Sequence, residues 1–408
     1  MTSLADRLRG VVGPPKGGPY ENDDRSGEGD DRRDRLQPAR NDAAEILGGE
    51  WRESRGRKFL LVERKYSPGY RHGRVAVADC LPPWPRVELL GGATGKTVFL
   101  DLETTGLAGG AGSYAFLVGC GWFDGGTFRL RQLFLSDFAA ERALLESFAE
   151  LADGADCVVT YNGKSFDLPL IETRFALQRM ETPFAGLPHI DMLHPARRMW
   201  RDEEVECRLT YLEQALCGHE RQGDVPGFEI PSRYFHYVRS GDARPLAAVL
   251  EHNRLDIVSL AMLTARASQM LDEGPSAATT SREACGMGRL YERAGLLEQA
   301  LACFQRARTV DAMRAAAILL RRLRRYEEAA YAWRELIAMR GCPAAYSREA
   351  MEALAVHHEH RARDLETARD FALQSLQWPT TAARQQAVKY RLARLDRKLG
   401  SGTCSIPF

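Results

Sequence analysis

Hydrophobic and polar positions follow four different regimes along the chain. Residues 1–55 hold Pro14-Pro15, Gly17-Gly18 and a charged stretch from Glu21 to Arg35 without sustained apolar periodicity. Such a composition buries too little apolar surface to offset the entropy of ordering, and it predicts a disordered tail, either a solvated segment or a tether for a partner. Over 56–96, Phe59-Leu60-Leu61-Val62 and Arg74-Val75-Ala76-Val77-Ala78 flank a Pro68-Gly69 turn, predicting a small β preface; Pro82, Pro83, Pro85 and Gly91-Gly92 then read as a linker.

Residues 97–270 combine both periods. A strand begins at Thr97-Val98-Phe99-Leu100, a hairpin forms from Ala115–Gly121 and Thr127–Leu135 around Asp124-Gly125-Gly126, Glu141–Leu151 is an amphipathic helix, and Cys157-Val158-Val159-Thr160 is another strand. Three antiparallel strands, a helix and a parallel strand make a ribonuclease H-like opening, and mostly helices follow. Residues 281–400 lose the strand signal and show an irregular repeat. Gly288, Tyr291, Gly295, Ala300, Phe304 and Ala307 fit the spacing of a tetratricopeptide hairpin, Ala317, Leu320, Ala329, Trp333 and Leu336 a second copy, and Val356, Ala368 and Ala372 a degraded third. Ordinary helical packing also accounts for much of that pattern. The fold class expected is therefore an α/β ribonuclease H-like domain, a mixed sheet with flanking helices, followed by an all-α tetratricopeptide-like domain.

Length and charge narrow the partners. A chain of 408 residues suits two folded units plus unfolded length. With 56 Lys and Arg against 55 Asp and Glu, the net charge of +1 excludes coating of nucleic acid by bulk charge, so any such contact must be local. Over 281–400 there are 22 basic and 14 acidic residues, which leaves the rest net negative, as a metal site requires. Nine cysteines without CxxC pairs, no signal peptide and no long apolar span predict free thiols in the cytoplasm and no membrane contact.

The candidate chemistry lies in three acidic motifs. Asp101 and Glu103 alternate on a strand and so share a face. Asp167 closes Tyr161-Asn162-Gly163-Lys164-Ser165-Phe166-Asp167, a strand end turning into a helix, where an acid can face the first strand. His252 and Asp256 lie one turn apart in the helical run Leu246–Leu260. Phosphodiester hydrolysis needs a water nucleophile and charge relief, which two Mg²⁺ or Mn²⁺ ions on about four carboxylates provide; Asp101, Glu103, Asp167 and Asp256 are the expected ligands. His252 is expected to orient or deprotonate the attacking water, since imidazole titrates near neutrality. Asn162 holds the turn, Lys164 meets a phosphate and Phe166 contacts a sugar or base, against the alternatives of an ordinary acid at a helix N-terminus for Asp167 and a core phenylalanine at 166. Asp191 either supports the metal shell or has a helix-capping or structural role, and Arg197, Arg198 and Arg201 line a channel or form a solvated face. Cys207 and Cys217 are assigned to packing, and His357, His358 and His360 have no acidic motif to complete a site.

The three motifs resemble those of the DEDD superfamily of metal-dependent 3′-5′ exonucleases, with a ribonuclease H-like fold, over residues 97 to about 265. Tyr161 to Asp167, His189-Ile190-Asp191-Met192-Leu193-His194 and His252-Asn253 further resemble YprB-type ribonuclease H-like proteins, some of which carry tetratricopeptide-like repeats. The resemblance implies Asp101, Glu103, Asp167 and Asp256 as metal ligands and His252 at the position of the catalytic Tyr or His. The chain departs from both branches of the superfamily: it has histidine with three intervening residues, the spacing of the tyrosine branch. The implied activity is exonucleolytic hydrolysis of single-stranded DNA or RNA ends, with Leu107 as a wedge near the terminal base, the main chain of Thr104, Thr105 and Gly106 at the terminal nucleotide, and the repeats guiding substrate or binding a protein. The alternative is a catalytically silent nucleic-acid-binding or adaptor protein; retention of four mutually repulsive acids argues against it.

Overall fold

The computed structural model describes residues 43–106, 112–201 and 207–401. Its centre is a seven-stranded sheet of β1 (Glu50–Ser54), β2 (Arg57–Tyr66), β5 (Thr97–Thr104), β6 (Ala115–Asp124), β7 (Thr127–Phe134), β8 (Cys157–Thr160) and β9 (His189–Asp191), in the order β1-β2-β7-β6-β5-β8-β9. β5, β6 and β7 are antiparallel, whereas β8 and β9 run parallel to β5. This is the ribonuclease H-like arrangement that the hairpin and crossover patterns predict. A separate pair, β3 (Arg71–His72) and β4 (Val75–Ala76), replaces most of the strand expected over 74–78, and Val77–Cys80 turns into a 3₁₀ helix.

Two boundaries differ from expectation. Within the proposed tail, residues 43–47 are helical and β1 pairs with β2; residues 1–42 lie outside the described part. The separate β preface is also corrected, because β2 joins the main sheet through Leu60↔Phe134 and Val62↔Gln132. Its four apolar residues, Phe59 to Val62, are all buried. Unbroken apolar runs of this kind belong to strands covered on both faces rather than to a surface hairpin.

Helices cover both sides of the sheet: α1 (Glu141–Ala152), α2 (Asp167–Leu177), α3 (Leu193–Met199), α4 (Ile230–Ser240) and the long α5 (Leu246–Glu273). On β5, Val98, Leu100 and Leu102 join a cluster with Leu144, Phe148, Phe175 and Tyr234. Phe99 points the other way, into a cluster with α5 residues Ile257 and Val258. Asp101 and Glu103 share Phe99's parity, so the pleat aims them toward α5.

The C-terminal region is entirely helical: α6 (Ser281–Arg293), α7 (Leu297–Ala307), α8 (Val310–Arg322), α9 (Tyr326–Ala338), α10 (Ala344–His357), α11 (Leu365–Ser375) and α12 (Ala382–Ser401). A reciprocal cap starts α6, with Thr280 Oγ1 accepting from the Glu283 N–H at 3.1 Å and Glu283 Oε2 accepting from the Thr280 N–H at 3.2 Å. Gly288 lies against the Phe304 ring, where a Cβ would stand 2.6 Å from the ring edge. Ala300, Ala329, Trp333, Ala368 and Ala372 are buried, while Val356 is exposed. The apolar cluster under α5 continues without a break into α6–α10. Among the described residues, no helix is long and apolar enough to cross a membrane, and the eight cysteines are free thiols.

Candidate active site

The first motif is seated by a glycine gap. Asp101 lies opposite Gly119 on β6, and a Cβ at Gly119 would collide with Asn253 Oδ1 and Ile257. The missing side chain lets α5 cross close to the sheet. Asn253 Nδ2 then donates to Asp101 Oδ2 at 2.7 Å, while Gln132 Nε2 donates to Asn253 Oδ1 at 2.9 Å and to the Leu250 carbonyl at 2.7 Å. We expect Gly119→Ala to destabilise the protein by about 1–3 kcal/mol, the usual cost of overpacking a filled interior, as measured by urea unfolding.

The second motif is held by Asp191, at the end of β9. Its carboxylate accepts from the backbone N–H groups of Asn162 at 2.7 Å, Lys164 at 3.1 Å and Leu193 at 3.1 Å. Asp191 is therefore a structural brace for the turn. Asn162 adopts the left-handed conformation, φ +67°, and turns the chain back toward β5. Asp167 Oδ1 consequently reaches the Leu102 N–H at 3.2 Å. Phe166 is 55% exposed and Lys164 is exposed, so neither belongs to the core.

On α5, His252 and Asp256 share one helix face, with His252 Nε2 3.6 Å from Asp256 Oδ2. Two residues overlooked in the sequence complete this side. Asp224 Oδ1 lies 2.6 Å from His252 Nδ1; a carboxylate only accepts, so Nδ1 is the donor of this bond. Arg221, nearly buried, reaches Asp256 Oδ1 at 2.5 Å, Glu213 Oε2 at 2.5 Å and Asp224 Oδ2 at 3.3 Å. Both residues stand in an irregular segment between Cys217 and Ile230, where no period marks them. Their only signal was an acid and a base among loop glycines.

The electrostatics are those of crowded anions. Burial, then Asp256, Glu103 and Asp167, hold the Asp101 carboxyl well above its ordinary range. Burial followed by Asp256 and Asp167 does the same at Glu103. Asp167 is pushed up to about 7, chiefly by burial, against the opposing hydrogen bond from Leu102. Hard carboxylate oxygens in mutual repulsion fit divalent cations such as Mg²⁺ or Mn²⁺. The four acids are not drawn into a tight cluster: among the described residues, the ligand atoms that gather within 4.8 Å are those of His72, Glu213 and His219. Within that group Glu213 receives His72 Nε2 at 2.6 Å, Ser259 Oγ at 2.6 Å and Arg221, whereas the buried His72 Nδ1 has no hydrogen-bond partner.

Thr104 and Thr105 follow a register shift in β5; Thr104 Oγ1 donates to the Gly106 carbonyl at 2.8 Å, and Thr105 Oγ1 accepts from the Tyr114 N–H at 2.9 Å. Leu107 lies outside the described residues. Arg197 is exposed and Arg198 half-buried, whereas Cys207 and Cys217 are buried in the apolar cluster.

Comparison with known proteins agrees with this fold. The sequence profile of the RNase H superfamily matches residues 98–268. The chain is also 30% identical over 360 residues to the uncharacterised protein YprB of Bacillus subtilis (strain 168), covering 84% of this chain and 86% of that one.

Proposed function

Because the chain belongs to the family of the YprB protein, within the RNase H superfamily, we propose that it is a metal-dependent 3′-5′ exonuclease acting on single-stranded nucleic-acid ends. The observation that carries this reading is the convergence of Asp101, Glu103 and Asp167 on the face of β5 that meets His252 and Asp256. Asp101, Glu103, Asp167 and Asp256 would hold two Mg²⁺ or Mn²⁺ ions. Bound there, the ions supply charge relief at the phosphoryl oxygens and a more acidic water.

The chain's own residues account for the remaining tasks. His252 Nε2 takes the proton of the attacking water, and Asp224 fixes the imidazole through Nδ1–H. The histidine with tyrosine-type spacing still reaches Asp256, because one helical turn brings both to one face. Exposed Phe166 offers a ring on which a terminal base stacks, Lys164 a charge for its phosphate, and the main chain of Thr104 to Gly106 a border for the nucleotide. Leu107 is kept as the proposed wedge. The packing of Gly288 on Phe304 supports tetratricopeptide-like repeats, which would guide substrate or bind a protein partner.

A second reading draws on Arg221. Its guanidinium already neutralises Asp256, as a silent binding module would require. One assay separates the two. Single-stranded DNA and RNA labelled at the 5′ end are incubated with Mg²⁺, Mn²⁺ or EDTA, beside the same strands blocked at the 3′ terminus. A metal-dependent ladder of shortening products that the block suppresses is the expected result. Products from the blocked strand would establish endonucleolytic cutting instead, and binding without cleavage would favour the silent module.

A further inference from the structure

Beside the second motif, a cleft of about 460 Å³ separates the sheet domain from the first C-terminal helices, within the size range of ligand sites. Lys164, Arg198 and Arg293 line it from three separate elements: the Asn162–Asp167 turn, α3 and the last turn of α6. Among the described residues, none of these three side chains has a carboxylate partner within ion-pair distance. The two acids at the rim do not answer them. Asp191 spends its oxygens on three backbone N–H groups, and exposed Glu88 leans toward Arg86 at 4.0 Å.

The cations are held together by packing. Gly286 on α6 lies against the Arg198 carbonyl and the Met199 backbone, where any Cβ would collide. Trp200 Nε1 adds a bond to Glu283 Oε1 at 3.3 Å. Two helices crossing this closely fix Arg198 relative to Arg293. Burial and then the neighbouring Arg293 and Arg289 hold the Arg198 guanidinium below its ordinary value. A half-buried guanidinium beside other cations and without a counter-ion is relieved by an anionic ligand, and guanidinium forks match phosphate oxygens.

We propose that this cleft binds consecutive phosphates of the single strand whose end lies at Asp101 and Asp167, so that sheet domain and helical region form one substrate track. Lys164 belongs to the same turn as Asp167, which places the cleft's first cation next to the acidic site. The assignment rests on the exonuclease reading above. It adds that the helical region contributes Arg293 directly to substrate.

The test is binding of a fluorescein-labelled oligothymidylate by anisotropy, in EDTA, across a potassium chloride series. The variants are Arg198→Gln/Arg293→Gln, Arg293→Gln alone, and a control of equal charge change at the far sheet edge, Arg52→Gln/Arg57→Gln. Each lost phosphate contact lowers the log–log salt slope by about 0.7, so the double variant should lose about 1.4 and the single variant about half of that, with the control unchanged. Arg293 is exposed, so its single variant remains informative if the double variant folds poorly. Unchanged slopes in a wild-type protein that binds and cleaves would overturn the cleft assignment alone. A wild type that neither binds nor cleaves would overturn both readings. Equal competition by polyglutamate would overturn the preference for phosphate.

Discussion

Asp101→Asn should abolish metal-dependent cleavage, lowering the rate by a factor on the order of 10³ or more, as removal of one well-placed electrostatic group does elsewhere, while making the metal-free protein more stable. The two effects share one cause. Asp101, Glu103 and Asp167 lie partly buried beside one another, and their carboxyls are held above the ordinary range, to about 7 at Asp167. Between about pH 4 and the raised values, the folded state keeps protons that the unfolded chain has released. Stability therefore falls as pH rises through that window, and levels off only above it. In EDTA, wild-type melting temperature should drop as pH increases from mildly acidic to neutral. The variant should show a shallower drop and melt higher at neutral pH, and added Mg²⁺ should raise the wild type far more than the variant. Scanning calorimetry across pH, with and without Mg²⁺, reads all of this. Identical pH profiles for wild type and variant would mean that the acids do not repel one another in the folded protein.

His252→Gln should slow turnover by about 10²–10⁴, the range that a positioned proton acceptor supplies, with little change in KM. Asp224→Asn should cost less, about 10–100-fold, as expected of a residue that orients another. Rates measured under single-turnover conditions separate these outcomes from altered product release. Full activity in His252→Gln would transfer the proton-accepting role away from this residue.

The sheet and the acids on it were readable because period-two alternation specifies a face: Asp101 and Glu103 follow Phe99, and the Asp124-Gly125-Gly126 turn fixes the β6–β7 hairpin. The same logic failed at β1. It is an edge strand whose residues mostly face solvent, so Glu50, Arg52 and Glu53 gave it the composition of a tail. The Arg55-Gly56 turn, with both residues at positive φ, was the available hairpin signal. Asp224 and Arg221 were hidden for a different reason. Their meaning depends on which helix the irregular segment folds against, and no spacing along the chain encodes that contact. Asn253 was visible next to His252, but its role required Gly119 across the sheet, a pairing made only by tertiary structure.

The unbroken apolar cluster running from Phe99 through α5 into α6–α10 has a consequence for how this architecture can be divided. Cutting the chain after α5 would uncover one side of Met262, Met270 and Leu271 and leave the first C-terminal helices without the surface they pack on. The sheet half is thus not a portable cassette to which helices were appended. It is one wall of a shared interior, so a piece cut after α5 is expected to fold less well than the two halves together.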